Sequence, residues 1–161
     1  MSGMPSGTPV IPPGRPPAGL SIDEEGRFLV HGEPVTHART LEVLWSGLGP
    51  SPDGGWQVRV GREAAPVKVA GTPYVVVTVA LAADRSGATL LLAGGSREPL
   101  APQGLRVGRD GVLRATLASG HTARFSRAAH VALGMALAED PSAPGGYRLS
   151  LGGREWPVGA E

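Results

Sequence analysis

Gly54-Gly55-Trp56-Gln57-Val58-Arg59-Val60-Gly61, with Pro66-Val67 following, returns 91 residues later as Gly145-Gly146-Tyr147-Arg148-Leu149-Ser150-Leu151-Gly152, with Pro157-Val158 following. No gap is needed over that span. In both places an aromatic and two aliphatic residues alternate with polar ones, the period-two signature of a half-buried strand. Before each lies a helical pattern and a short proline-containing loop. In the first, Thr36 reads as an N-cap, and Leu41, Leu44, Trp45 and Leu48 share one face until Gly49-Pro50 ends it. In the second, Ser126 reads as the cap of a helix running to about Ala138, with Ala129, Leu133, Ala136 and Leu137 as its packing stripe. The shared order predicts a duplicated strand, helix, strand unit.

Working outward, His31-Gly32-Glu33-Pro34 reads as the turn of a hairpin, and Val67 and Val69 alternate in a further strand. Residues 74–81 are almost continuously apolar and β-branched, the composition of a strand buried on both faces. Weaker strands are expected at 89–92, 105–107, 112–117 and 121–125. Gly94-Gly95, Asp110-Gly111 and Ser119-Gly120 separate them, so neighbours should run antiparallel. The expected fold is α+β: two repeated units of mostly antiparallel strands with one helix each, over residues 21–83 and 84–161. Residues 1–20 hold four glycines and six prolines, a Pro/Gly-rich composition that cannot bury enough apolar surface to order itself. The run Pro12-Pro13-Gly14-Arg15-Pro16-Pro17 suits extended polyproline-like states, with a ligand for a proline-binding module as the functional alternative.

The 161 residues include no cysteine, which excludes disulfides, thiolate metal sites and a cysteine nucleophile and suits a reducing cytoplasm. No apolar run reaches the roughly 20 residues of a membrane span, and no secretion signal opens the chain, so a cytoplasmic protein without a membrane partner is expected. A net charge of +1 argues against electrostatically driven nucleic-acid binding.

The residue types of catalysis are present without the spacing that catalysis needs. His31, His37, His121 and His130 show no metal-ligand spacing, and no Gly-x-Ser-x-Gly or phosphate-binding loop occurs. The carboxylate clusters Asp23-Glu24-Glu25 and Glu139-Asp140 fall at a turn and a helix end. Neither an enzyme, a cofactor nor a metal is expected. Three segments set Arg-Glu after glycine and before proline, at Arg62-Glu63, Arg97-Glu98 and Arg154-Glu155, a pattern of solvated strand ends or of a binding rim. Arg106, Arg109, Arg114, Arg124 and Arg127 share 22 residues with one acid, Asp110. An anion could dock there, although strand alternation should split these arginines between two faces.

Gly26-Arg27-Phe28-Leu29-Val30-His31-Gly32-Glu33-Pro34-Val35 resembles the Gly-x-Trp-x-x-x-Gly-x-Pro-Ile opening of the proteobacterial domain-of-unknown-function family 1285. The strand ending at Glu63, Thr72-Pro73-Tyr74-Val75-Val76-Val77, Ala123-Arg124-Phe125-Ser126-Arg127 and the closing hairpin to Gly159 extend the resemblance over residues 22–159. It implies a duplicated α+β fold, a second half superficially like a pleckstrin-homology roll, a ligand or partner site between the halves and a part in signalling. Gly61-Arg62, Ala64 and Ala70-Gly71 depart from the family pattern, which leaves Glu63 as the polar position carried over.

These readings converge on a non-catalytic module that binds a protein partner or small ligand between its two units, in a regulatory or signalling role. The candidate residues are Trp56, Glu63, Tyr74, Arg124, Arg127, Arg154 and Trp156. The alternative is a small-anion or nucleotide binder using Arg106, Arg124, Arg127 and Arg154, and behind it stands a metal-dependent or hydrolytic enzyme.

Overall fold

Glycines with positive φ close most of the turns that set strand pairing in the structure, a computed structural model that describes residues 15–69 and 71–161. Most of the Pro/Gly-rich tail, residues 1–14, lies outside the described residues. The chain divides into two units between Pro73 and Tyr74, and each has its own apolar core.

The first unit contains β1 (Leu20–Ile22), β2 (Phe28–Val30), β3 (Glu33–Pro34), α1 (Ala38–Gly47), β4 (Leu48–Pro50), β5 (Trp56–Val60) and β6 (Glu63–Val69). They form one sheet in the order β3-β2-β1-β6-β5-β4. Every neighbouring pair is antiparallel except β1 and β6. His31 and Gly32 both have positive φ, the conformation that a two-residue hairpin loop needs to match strand twist. Phe28, Ile22, Leu44 and Val58 are buried in the core, where Phe28 meets the edge of Trp45 with ring centroids 4.7 Å apart.

Three sequence expectations change here. Leu20 is 3% exposed and pairs with Val67, and Pro17 is buried, so the fold starts inside the stretch assigned to the tail. α1 is capped by His37, whose Nδ1 accepts from the Thr40 N–H at 3.4 Å, in place of Thr36. The helix also ends one residue early, because Leu48 turns extended and leads Gly49 and Pro50 along β5 as an edge strand.

The second unit contains β7 (Val75–Leu81), β8 (Ala88–Leu92), β9 (Arg97–Pro99), β10 (Arg106–Val107), β11 (Leu113–Thr116), β12 (Thr122–Phe125), α2 (Arg127–Leu133), β13 (Leu137–Glu139), β14 (Tyr147–Leu151), β15 (Arg154–Pro157) and β16 (Gly159–Ala160). One sheet has the order β16-β10-β11-β12-β7-β8-β9, and β13-β14-β15 form a second. β7 pairs parallel with β12, which places it in the second unit although residues 74–81 read as part of the first. It is not buried throughout: a register shift between Val76 and Thr78 accompanies half-buried positions and an exposed Ala80. Ser126 caps α2 as expected, with Oγ accepting from Ala129 N–H at 3.1 Å. The helix tightens into a 3-10 turn at Gly134–Ala136, and Leu137, assigned to its packing stripe, begins β13.

Several pairings in the two units agree, although the strands of the first unit form one sheet and those of the second form two. Gln57↔Pro66 through Val60↔Glu63 and Arg148↔Pro157 through Leu151↔Arg154 share one register at an offset of 91 residues. β4 meets β5 as β13 meets β14, with a connection two residues longer in the second unit. β1 runs antiparallel to β2 and parallel to β6, and β10 stands in the same relation to β11 and β16. Leu44 and Leu133 are both fully buried, and each lies four residues before its following strand.

Candidate functional site

Arg106 on β10, Arg114 on β11 and Arg124 on β12 are direct cross-strand neighbours. Of the five clustered arginines these three lie on strands and share one face instead of splitting between two, because the two hairpin registers align them, whereas Arg109 falls in the turn after β10 and Arg127 on α2. Alternation sends Leu113, Ala115, Ala123 and Phe125 to the core on the opposite face. Asp110, in the turn before β11, grips Arg114 in a fork, with Nη1–Oδ1 at 2.9 Å and Nη2–Oδ2 at 3.1 Å. That bond from Arg114 holds the Asp110 carboxyl far below the usual carboxylate range, and in return raises the Arg114 guanidinium. Glu161 adds a carboxylate oxygen 3.8 Å from Arg114. Gly108 makes room for this arrangement, since a Cβ there would run into Arg114 Nη1. Arg106 and Arg124 make no ion pair among the described residues, and Arg124 Nε is buried with no acceptor. Arg124 N–H donates to the Tyr74 carbonyl at 3.0 Å. The Tyr74 ring stacks on His121 at 5.0 Å, and burial raises its phenol pKa.

A second feature lies where α2 ends beside the β14–β15 turn. A groove of about 460 Å3 is lined there by Met135, Leu151, Arg85, Arg154 and Glu155 among others. Arg85 ties the β7–β8 loop to it, donating from Nη1 to the Met135 carbonyl at 3.3 Å and accepting from Gly152 N–H at 2.8 Å. Val131 on α2 and Met135 in the 3-10 turn that follows it are 70% and 74% exposed. The first unit has a groove of about 360 Å3 in the corresponding place, at the end of α1 and the β5–β6 turn, with Glu42 and Ser46 on its helical side.

Trp56 and Glu63 belong to the first unit and Tyr74, Arg124, Arg127, Arg154 and Trp156 to the second. Trp56 is half-buried against the first core, and Glu63 is exposed, 3.8 Å from Arg15 instead of paired with Arg62. Trp156 packs on the second core with its indole Nε1 buried and without an acceptor. Arg127 is exposed as the first residue of α2, and Arg154 lines the groove, so neither joins the arginine row. Arg114 reads in sequence as one of the arginine cluster but not as a site residue, and Val131 and Met135 escape the sequence reading. Arg114 is legible once the β10–β12 registers are known, and the other two show in sequence as apolar residues off the packing stripe.

Among the described residues no group of three or more His, Cys, Asp or Glu side chains could hold a metal ion. No helix among them is long and apolar enough to cross a membrane. No protein-family model matches the chain, and no curated protein matches it. Two solved structures share its fold. A DUF1285 family protein from Silicibacter pomeroyi DSS-3 aligns with a TM-score of 0.66 at 16% identity, over 88% of this chain and 80% of that one. A DUF1285 family protein from Shewanella baltica OS155 aligns with a TM-score of 0.53 at 18% identity, over 69% of this chain and 86% of that one. The chain therefore has the fold of DUF1285 family proteins, the family that its sequence resembles.

Proposed function

We propose that the chain is a non-catalytic binding module that docks a partner protein on the exposed residues of α2 and of the 3-10 turn after it, and so serves a regulatory role. The observation that carries this reading is the exposure of two large apolar side chains, Val131 on α2 and Met135 in the 3-10 turn after it, the second of them lining the groove. Each lies a fixed distance before β13, six residues and two, and the same distances before β4 reach Glu42 and Ser46. The fold is thus satisfied by polar residues at these positions, and apolar ones there serve contact with something else. Arg127 stands one turn before Val131, Arg154 stands in the groove, and neither makes an ion pair among the described residues. An amphipathic acidic helix, with apolar anchors at i and i+4 and flanking carboxylates, has the complementary chemistry.

The test is affinity capture from native extract with the wild-type chain and with Val131→Glu/Met135→Ser, followed by reconstitution with the captured protein. We expect binding that persists at moderate salt, vanishes in the double variant and maps to an acidic apolar segment of the partner. Equal capture by both chains would overturn the docking face.

A further inference from the structure

We infer that the face of the β10–β12 strands opposite their apolar core holds a site for a small polyanion, a molecule carrying two or more clustered oxyanions such as a diphosphate or a polycarboxylate. The site uses residues other than the docking face, so the two stand or fall separately.

Three arginines directly opposite one another on adjacent strands oppose folding, since like charges at cross-strand positions repel. The fold does not ask for them. In the first unit the corresponding row reads Lys68, Ser21, Leu29 and Pro34, where the second has Gly159, Arg106, Arg114 and Arg124. The compensation within the unit is concentrated on the middle member: Asp110 forks Arg114, and Glu161 also reaches Arg114. The two flanking guanidinium groups, one strand to either side and so about 10 Å apart at their backbones, have no carboxylate among the described residues. Arg124 goes further, because its Nε–H is withdrawn from water with nothing to donate to. The Nε and Nη edge of a guanidinium is the fork that binds an oxyanion side-on. A ligand oxyanion on Arg124 supplies the missing acceptor, and the clamped Arg114 beside it keeps the middle of the row cationic and fixed. A second oxyanion on the same molecule meets the far side of the row at Arg106.

Inorganic pyrophosphate and citrate are the two probes, titrated separately into the full chain at low and moderate salt by calorimetry. The arginine Nε–Hε resonances are followed by NMR in parallel. We expect at least one probe to bind, more weakly as salt rises, with the Arg124 Hε resonance moving most, and the tighter probe identifies phosphate or carboxylate as the preferred oxyanion. Arg124→Gln should weaken binding tenfold or more, and Arg124→Lys should weaken it too, because it keeps the charge and loses the fork. Arg39→Gln, on α1 of the first unit and exposed, should bind like wild type. Failure of both probes to bind, or an equal loss in Arg39→Gln, overturns the site. If Arg124→Gln fails to fold, the Hε shift in the wild-type chain and the lysine variant decide the matter.

Discussion

Ser21 lies opposite Leu29 and Leu29 opposite Pro34 in the first unit, whereas Arg106 lies opposite Arg114 and Arg114 opposite Arg124 at the same places in the second. The helices differ in the same way, Glu42 and Ser46 in one standing where Val131 and Met135 stand in the other. The backbone pairings agree, so the differences are not what the fold demands. The first unit thus shows which residues these elements need, and what the second adds at exposed positions is where binding chemistry is to be sought. The second also gains β7, β8 and β9, which extend the sheet beyond β12, whereas the corresponding β3 is a sheet edge.

The largest effects should fall on what the units share. Leu44→Ala and Leu133→Ala should each cost about 3 kcal/mol in chemical denaturation, because both side chains are fully buried in their cores. A cost below about 1 kcal/mol at either position would break the correspondence of the helices. Next comes the entry to the first sheet. Removing residues 1–20 should destabilise the chain by about 2 kcal/mol, since it deletes the buried Leu20 side chain and its pairing with Val67. An unchanged melting temperature would return Leu20 to the tail.

Grafting the first unit's helix face onto the second sharpens the comparison from the other side. Val131→Glu/Met135→Ser should change stability by no more than about 0.5 kcal/mol while abolishing partner capture, because the side chains removed are exposed. A large loss of stability would mean that the apolar face is needed for folding.

The smallest effect concerns two turns that each hold an Asp–Arg pair four residues apart, Asp23 with Arg27 and Asp110 with Arg114. Burial opposes ionisation of Asp23, but hydrogen bonds from the Arg27 and Glu25 backbone and the Arg27 side chain outweigh it and lower the carboxyl. Asp110 is lowered further by the Arg114 fork. Both carboxyls titrate lower folded than unfolded, so their contribution is complete above the ordinary carboxylate value of about 3.9 and is lost as pH falls below it. Asp110→Asn should flatten the acid limb of the melting-temperature profile more than Asp23→Asn. Identical profiles for the two variants and the wild type would show that neither pair matters to stability.

The chain itself determined most of the local structure. Alternation placed β5 and β14, paired small and acidic residues marked the turns, Ser126 announced its helix, and the 91-residue offset matches the register of both closing hairpins. These signals are local, since each depends on residues a few positions apart whose periodicity and φ preferences act before any long-range contact forms. Tertiary structure decided the rest. β1 joins β6 across more than forty residues, and β7 joins β12 across about fifty, and parallel pairings of that kind leave no turn motif to read. Helix ends moved by a residue or more because Leu48 and Leu137 gained more as strand partners of Val58 and Leu149 than as helix termini. The arginine row belongs to the same class. Its members were all visible in sequence, but which of them share a face is a property of register across three strands, and register is fixed by the apolar residues on the opposite side of the sheet.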